Sequence, residues 1–422
     1  MKNILVLFGQ EWDRQQLAKV NGDGAITYHH EGFDLFSFPS NTNLLLFDIF
    51  KFVDKLSEKY RRIKLDGILT THEQFGALTG ALLAERLGLP GMSATGVMNA
   101  QHKALARQIL AREVPHANVP FATFPYTVKR AEEIALPFPF FAKPIKAAYS
   151  VLARRVEDFA DLRTHLTFQP WEKFIIFRLV RPFNDVVSRM EASEINGHHM
   201  IGEQLVDGFQ VNVDGYVRDN QVHVLGIIDA VMYPGTDAFM RWEYPSRLPP
   251  EWRAKIRAIT ESVVRALKLD HGLFNVELRV CSHSGDCKVI EVNPRMATQF
   301  SDLYEMVDGI NLHDLAIRLA TAEPLPVAGK GRHAYASSFV YRRFDGLNPA
   351  RFPGSAERAA LAAFDADAQL ITFEKRGTGL KREMKWLQSY RYACLNMGGP
   401  SETGLIEKYQ HASKLLGFPA PL

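Results

Sequence analysis

Two glutamates stand in stretches that otherwise have the composition of buried strands. Glu277 lies within GLFNVELRV and Glu291 within KVIEVN, among valine, isoleucine, leucine and phenylalanine. If these stretches pair as antiparallel strands around a turn at Ser284, the glutamates lie opposite each other, because each is seven residues from that serine. Opposed residues have Cβ atoms about 5 Å apart, so the two charges repel unless a cation separates them. The pair therefore predicts a cation site.

Further polar side chains follow at the end of the second strand. Asn293 shares a face with Glu291, because side chains alternate along a strand, and it would add an amide oxygen. Magnesium takes oxygen ligands in proteins, commonly one or two carboxylates together with phosphate oxygens. We therefore predict that Glu277, Glu291 and Asn293 bind Mg²⁺ (or Mn²⁺). Arg295 would then reach the anion that the metal holds. The alternative is a solvent-facing hairpin with ordinary ion pairs, for which Arg279 is near enough to Glu277.

Three cations elsewhere in the chain could bind phosphate. Lys143 ends the apolar run FPFFAK, where its ammonium would be costly to bury without an anion. Lys103 and Arg107 are four residues apart in a helical pattern and share a face, so both could act on one ligand. The alternatives are a surface lysine with a buried stem and a solvated helix face.

The elements that must position these residues begin with alternating strands and helices. The pattern predicts a strand at 2–9, a helix at 11–20, a strand at 65–71 and a helix at 73–87. This alternation is typical of a parallel sheet covered by helices.

The remaining chain has the pattern of an α+β structure. The pattern predicts a helix at 99–115, strands at 137–144 and 173–180 with a helix at 156–167 between them, a hairpin region over 209–229 turning at Asp219-Asn220, a helix at 249–269, the hairpin 272–293, and a last helix near 402–416.

Composition excludes several classes of protein. The 422 residues are 46% hydrophobic and 23% charged, with a net charge of +3, which does not predict a nucleic-acid partner. No run approaches the roughly 18 apolar residues of a membrane helix, and the N-terminus lacks the features of a signal peptide. Only three cysteines occur, Cys281, Cys287 and Cys394. We therefore expect a cytoplasmic protein in a reducing compartment.

Four motifs, and the order in which they occur along the chain, resemble the ATP-grasp superfamily, specifically its carboxylate–amine ligases of the L-amino-acid ligase kind. GLFNVELRV followed by KVIEVNPRM resembles the metal-binding core of that family, and FPFFAKP resembles its strand with a phosphate-binding lysine. The segment 65–124 resembles the sheet domain and the start of the ATP lid. MIGEQLVDGFQVNVDGYV resembles the hinge strand that contacts adenine and ribose.

The resemblance implies an α/β fold of the ATP-grasp type. It would comprise an N-terminal parallel-sheet (Rossmann-like) domain at 1–100, a small α+β lid at 101–205, a larger α+β metal-binding domain at 206–330 and a C-terminal extension at 331–422.

The resemblance also implies roles for particular residues. Glu203 stands at the adenine-side acid, and Gln210 stands where the family usually has a ribose-binding glutamate. The loop after Lys143 departs from the family, because Ala147 and Ala148 replace glycines. The implied nucleotide-binding residues are Lys103, Lys143, Ser150, Glu203, Val206 and Gln210; the implied metal ligands are Glu277, Glu291 and Asn293; and Asn293 and Arg295 are the implied catalytic residues.

The activity implied is an ATP-dependent ligation. A carboxylate, expected to be that of an amino acid, would form an acyl phosphate and then an amide or dipeptide with an amine, with release of ADP and phosphate. The partners would be these small molecules, with a homodimer as a further possibility. The open alternatives are a carboxylase or purine-pathway ligase and a non-catalytic ATP-binding sensor. Glu243 could contact a substrate amino group or belong to a packed loop.

Overall fold

The computed structural model describes residues 1–21, 24–35, 39–147, 151–349, 351–375 and 377–421. Among these residues no helix is both long and apolar enough to cross a membrane.

The N-terminal part is built as predicted from alternating strands and helices. Its elements are β1 (Lys2–Leu7), α1 (Glu11–Val20), β2 (Ile26–Glu31), α2 (Ile49–Ile63), β3 (Gly67–Leu69) and α3 (Gly76–Leu87). The strands form a parallel sheet in the order β2-β1-β3, and the apolar run of β1 is its buried centre. Strand β2 was not predicted, because its sequence ITYHHE lacks a clear apolar pattern. In the structure this strand is only half-buried.

The predicted helix 99–115 is two helices, α4 (Ala94–Gln101) and α5 (Lys103–Glu113). His102 separates them in an extended conformation, and its Nδ1 accepts a hydrogen bond of 3.1 Å from the backbone N–H of Leu105. This cap starts a new helix at Lys103, so that lysine lies at the N-terminus of α5 rather than inside a helix.

The segment that is predicted to form the lid contains an antiparallel sheet in the order β4-β7-β5-β6 with two helices. Its elements are β4 (Phe121–Pro125), β5 (Phe140–Pro144), β6 (Arg154–Val156), α6 (Phe159–His165), α7 (Pro170–Arg189) and β7 (His199–Gln204).

The strand predicted at 173–180 is wrong, because these residues form the middle of the 20-residue helix α7. A short apolar run such as KFIIFRLV does not distinguish strand from helix by itself. The helix is decided by Pro170 at its first turn and by buried residues at helical spacing, among them Val180, Phe183 and Val187.

The largest element is an eight-stranded sheet in the order β12-β11-β8-β9-β10-β13-β15-β14. Its strands and the helices around it are β8 (Phe209–Arg218), β9 (Gln221–Met232), β10 (Phe239–Tyr244), α8 (Pro250–Ala266), β11 (Gly272–Val280), β12 (Cys287–Asn293), α9 (Ser301–Asp308), α10 (Leu312–Ala320), β13 (Tyr335–Arg343), α11 (Ser355–Phe364), β14 (Gln369–Thr372), α12 (Thr378–Leu387), β15 (Tyr390–Gly399) and α13 (Glu402–Leu416).

Both predicted hairpins are present in this sheet. Asp219 and Asn220 adopt positive φ angles of 51° and 60°, as a tight two-residue hairpin turn requires. The C-terminal strands β13, β15 and β14 continue the sheet that carries the two glutamates. The boundaries drawn at 100, 205 and 330 stay predictions.

Candidate active site

One face of the sheet carries a ladder of acid and amide side chains. Glu277 is paired with Glu291 across β11 and β12, as the seven-residue spacing predicted. Asn275 is paired with Asn293 in the same register, and β8 places Asn212 beside Glu277. Since alternate residues share a face, these side chains all point to the same side of the sheet.

The two opposed glutamates do not ionise equally. Burial, and then the charge of Glu291, raise the pKa of Glu277. Burial also opposes ionisation of Glu291, but Lys103 and Lys143 outweigh it and hold its pKa below the ordinary value. Glu277 also accepts hydrogen bonds from Gln210 Nε2 at 2.9 Å and from Asn293 at 3.3 Å. Negative charge is therefore concentrated where a cation could bind.

The two predicted lysines reach this ladder from different elements, Lys103 from the start of α5 and Lys143 from β5. Lys103 Nζ lies 2.8 Å from Glu291 Oε1 and 3.0 Å from the carbonyl oxygen of Ala147. Lys143 Nζ lies 3.0 Å from Glu203 Oε2 and 2.9 Å from the carbonyl oxygen of Ile290. Burial lowers the pKa of Lys143, although Glu203 opposes this effect. Both ammonium groups are therefore held beside the site by carboxylates and carbonyls.

The guanidinium of Arg107 is bound to two strands, to β7 through Glu203 and to β12 through backbone carbonyl oxygens. Its Nε lies 2.8 Å from Glu203 Oε1, and its terminal nitrogens donate to Asn118 and to the carbonyl oxygens of Val289 and Ile290. Burial opposes ionisation of Glu203, but Arg107 and Lys143 outweigh it and lower the pKa of Glu203 to about 2. The predicted contact of Glu203 with adenine stays a prediction, made by a carboxylate that is already fixed and ionised.

Arg295 is anchored by a residue of the N-terminal domain. Its Nε lies 2.9 Å from Glu73 Oε2, and the other carboxylate oxygen of Glu73 accepts from Gln101 at 2.9 Å. Lys146 donates to the carbonyl oxygen of Glu73 at 3.2 Å. Glu73 thus links the segment after β12 with the segment after β5 through two cations.

These groups surround a cavity of about 460 Å³, within the usual range for a small-molecule site. Its wall combines charged groups with apolar side chains from the lid and from β12, such as Phe141 and Val289. Of the residues predicted from sequence to act here, those that line it are Lys103, Arg107, Lys143, Glu203, Val206, Gln210, Glu277, Glu291, Asn293 and Arg295. Ser150 lies outside the described residues.

The donor set fits a metal ion that is shared with a ligand. Glu277, Glu291 and Asn293 supply only oxygen donors, which suit Mg²⁺ or Mn²⁺. Within the described ranges, no group of three or more His, Cys, Asp or Glu side chains could hold a metal ion by itself. Such a site needs further oxygens, which a phosphate chain would supply.

Beside Asn275 in this ladder lies a buried acid, Asp214, that the sequence analysis did not single out. Asp214 accepts hydrogen bonds of 3.0 Å from Asn275 Nδ2 and from the Tyr304 hydroxyl. Burial raises its pKa to about 7, although both bonds act in the opposite direction. A raised pKa in the folded state means that protonation stabilises the fold. That stability is present below the ordinary value of 3.8 and is lost as the pH rises through about 7.

We therefore expect Asp214→Asn to gain stability relative to the wild type between pH 4 and 7, by about 1.4 kcal/mol per pH unit, and to keep the gain above pH 7. The measurement is the free energy of unfolding in urea at several pH values for both proteins. A difference that does not change from pH 4 to pH 8 would show that Asp214 ionises as an exposed aspartate does.

Sequence reasoning also missed Glu73 and Lys146. Glu73 follows β3 in the loop at the carboxyl end of a parallel strand, which is the usual position of ligand-binding groups in such sheets. Lys146 is three residues from Lys143, but the pattern gave no reason for it to be buried. Glu243 lies on β10 in ion pairs of 2.6 Å with Arg241 and Arg247 and does not line the cavity, which favours the packed alternative.

Comparison with known proteins identifies the domain that contains most of these residues. Residues 136–302 match the ATP-grasp domain family. Carnosine synthase 1 of Gallus gallus is 29% identical over 285 residues, which are 63% of this chain and 28% of that protein. The matched region is thus little more than a quarter of the curated relative.

Solved structures share the fold over nearly the whole chain. The L-amino acid ligase from Bacillus licheniformis has a TM-score of 0.70 at 19% identity and covers 99% of this chain and 98% of its own. An N5-carboxyaminoimidazole synthase from Aspergillus clavatus, in complex with ADP and 5-aminoimidazole ribonucleotide, has a TM-score of 0.64 at 13% identity, with 98% of each chain covered. At these identities the likeness shows the fold alone, and the predicted ATP-grasp fold is confirmed.

Proposed function

We propose that this chain, whose residues 136–302 match the ATP-grasp domain family, is a member of the ATP-grasp superfamily and an ATP-dependent ligase that joins a carboxylate to an amine. The acid would attack the γ-phosphate of ATP to give an acyl phosphate and ADP, and the amine would then displace phosphate to form an amide. The acid is expected to be an amino acid. This proposal rests mainly on one observation, the pairing of Glu277 with Glu291 inside a cavity that also contains Lys103, Lys143 and Arg295.

The residues divide the work by position. Glu277, Glu291 and Asn293 would hold one or two Mg²⁺ (or Mn²⁺) ions, which neutralise phosphate charge when bound. Lys103 and Lys143 would bind phosphate oxygens as the ammonium groups exchange part of their present carboxylate and carbonyl contacts.

Three further residues would place the substrates. The hinge residues Glu203 and Val206 would contact the adenine. Arg295, fixed by Glu73, would stabilise charge on the group that is transferred. Transfer of this kind depends mostly on positioning and on charge compensation, so no protein nucleophile is required.

The relatives support a carboxylate and an amine as the substrates. The names of two similar proteins, Carnosine synthase 1 and L-amino acid ligase, describe the synthesis of carnosine and the ligation of L-amino acids. We therefore carry that substrate class over to this chain as part of the proposal.

The test is ADP release from Mg-ATP with pools of amino acids offered as acid and as amine. Release that needs one acid and one amine, with the amide identified by mass spectrometry, supports the ligase. Release that needs bicarbonate instead would replace it with a carboxylase. A rise in melting temperature with ATP but no ADP release from any pool would replace it with a non-catalytic ATP binder.

A further inference from the structure

A second cavity, of about 330 Å³, adjoins the nucleotide cavity. Three parts of the protein form it: the N-terminal domain around Leu44, helix α7 of the lid, and helix α12 with the segment before it. The two cavities share Pro144, Ala147 and Val151 in their walls. A molecule in the second cavity could therefore present one end to the bound nucleotide.

The wall of this second cavity, here called the apolar chamber, is mainly hydrophobic. Helix α7 contributes Ile175, Ile176, Leu179 and Val180, and α12 contributes Leu387. A pocket with an apolar body and few polar groups binds an apolar group and uses the polar groups to orient it.

The wall of the apolar chamber also contains a buried cation, Lys146. Lys146 is only 2% exposed, and its ammonium donates to the carbonyl oxygen of Glu73 and lies 5.1 Å from the ring centroid of Phe183. In the part of the chain that the structure describes, no carboxylate oxygen lies within ion-pair distance of this ammonium, while Arg295 is anchored on the same Glu73. A buried ammonium without a carboxylate partner is costly, and a carboxylate ligand would compensate it.

Resting on the proposed ligase function, we propose that the apolar chamber binds the side chain of the acid substrate, with the substrate carboxylate held between Lys146 and Arg295. The substrate class is then a carboxylic acid with a bulky apolar side chain, such as an amino acid of the leucine, methionine or phenylalanine type. This orientation places the carboxylate at the boundary of the two cavities, where it can meet the terminal phosphate. Burial lowers the pKa of Lys146 to about 8, so it remains cationic at neutral pH.

The experiment narrows the apolar chamber by placing a larger side chain on helix α7. In the wild type, ADP formation with a leucine-sized or larger acid should exceed that with glycine. Ile176→Trp should lower kcat/KM for the large acid by about 10-fold or more, in line with the discrimination of hydrophobic pockets by size, and should leave glycine and alanine within about 2-fold. Phe174→Trp is the matched control, because Phe174 lies on the same helix, is 53% exposed and does not line the apolar chamber. It should change neither value.

Two results would overturn the proposal: an equal loss for all acids in Ile176→Trp, or a wild type that prefers glycine. Calorimetric binding of phenylalanine in the presence of Mg²⁺ and a non-hydrolysable ATP analogue separates this proposal from the ligase reaction. Binding that Ile176→Trp removes and Phe174→Trp keeps supports the apolar chamber even if no ADP forms, and the ligase proposal alone then fails. ADP formation with small acids, without binding of any apolar acid, overturns the apolar chamber and leaves the ligase in place.

Discussion

Glu291→Gln is expected to lower the rate of ADP formation by about 1000-fold or more, because a metal ion at this position contributes several kcal/mol of charge stabilisation. Glutamine keeps the size of the side chain but removes the charge that opposes Glu277 and pairs with Lys103. The measurement is the steady-state rate at saturating Mg-ATP and substrates. The matched control is Asp286→Asn in the same hairpin, where the carboxylate is exposed and paired with Lys255.

A binding measurement shows whether such a loss reflects the metal site or the fold. Mg-ATP should raise the melting temperature of the wild type, since a ligand that binds only the folded state stabilises it. The Glu291→Gln protein should melt normally by itself and should gain much less from Mg-ATP. A variant that keeps more than a tenth of the wild-type rate would show that the opposed glutamates are not the metal site.

Arg295→Met is expected to lower kcat by about 100- to 1000-fold, the usual effect of removing one group that stabilises developing charge. The affinity for ATP should change little, because in the proposed arrangement Arg295 contacts the transferred group rather than the nucleotide base. The measurements are kcat and the dissociation constant for Mg-ATP. A large loss of nucleotide affinity with unchanged kcat would contradict this assignment.

The partner of Arg295 provides the control. Arg295→Met leaves the carboxylate of Glu73, which is 5% exposed, without its guanidinium, and that alone could distort the site. The double variant Arg295→Met/Glu73→Gln removes this unpaired charge. If Arg295 only neutralises Glu73, the double variant should recover activity. If Arg295 acts on the reacting group, the double variant should stay inactive although it is more stable than the single one.

The elements that were predicted correctly are those with a strong local pattern. The hairpin 272–293 combines two apolar runs with a central turn, so its register followed from counting residues. The apolar run of β1 and the turn at Asp219-Asn220 are equally local signals. The segment 173–180 has no such signal, and its helical state depends on burying one side of α7 against the rest of the protein.

The sequence by itself determined the acid pair, the candidate ligands beyond it and the lysines that are predicted to bind phosphate, because each lies in a strand, hairpin or helix with its own local pattern. Only the tertiary structure decided which groups of different domains meet. Glu73 reaches Arg295, and Lys103 reaches Glu291, each across more than 180 residues of chain. Burial decided the properties of two further groups, Asp214 and Lys146. It raises the pKa of Asp214 to about 7 and encloses Lys146 in the wall of the apolar chamber, and burial depends on the packing of parts that are distant in the sequence.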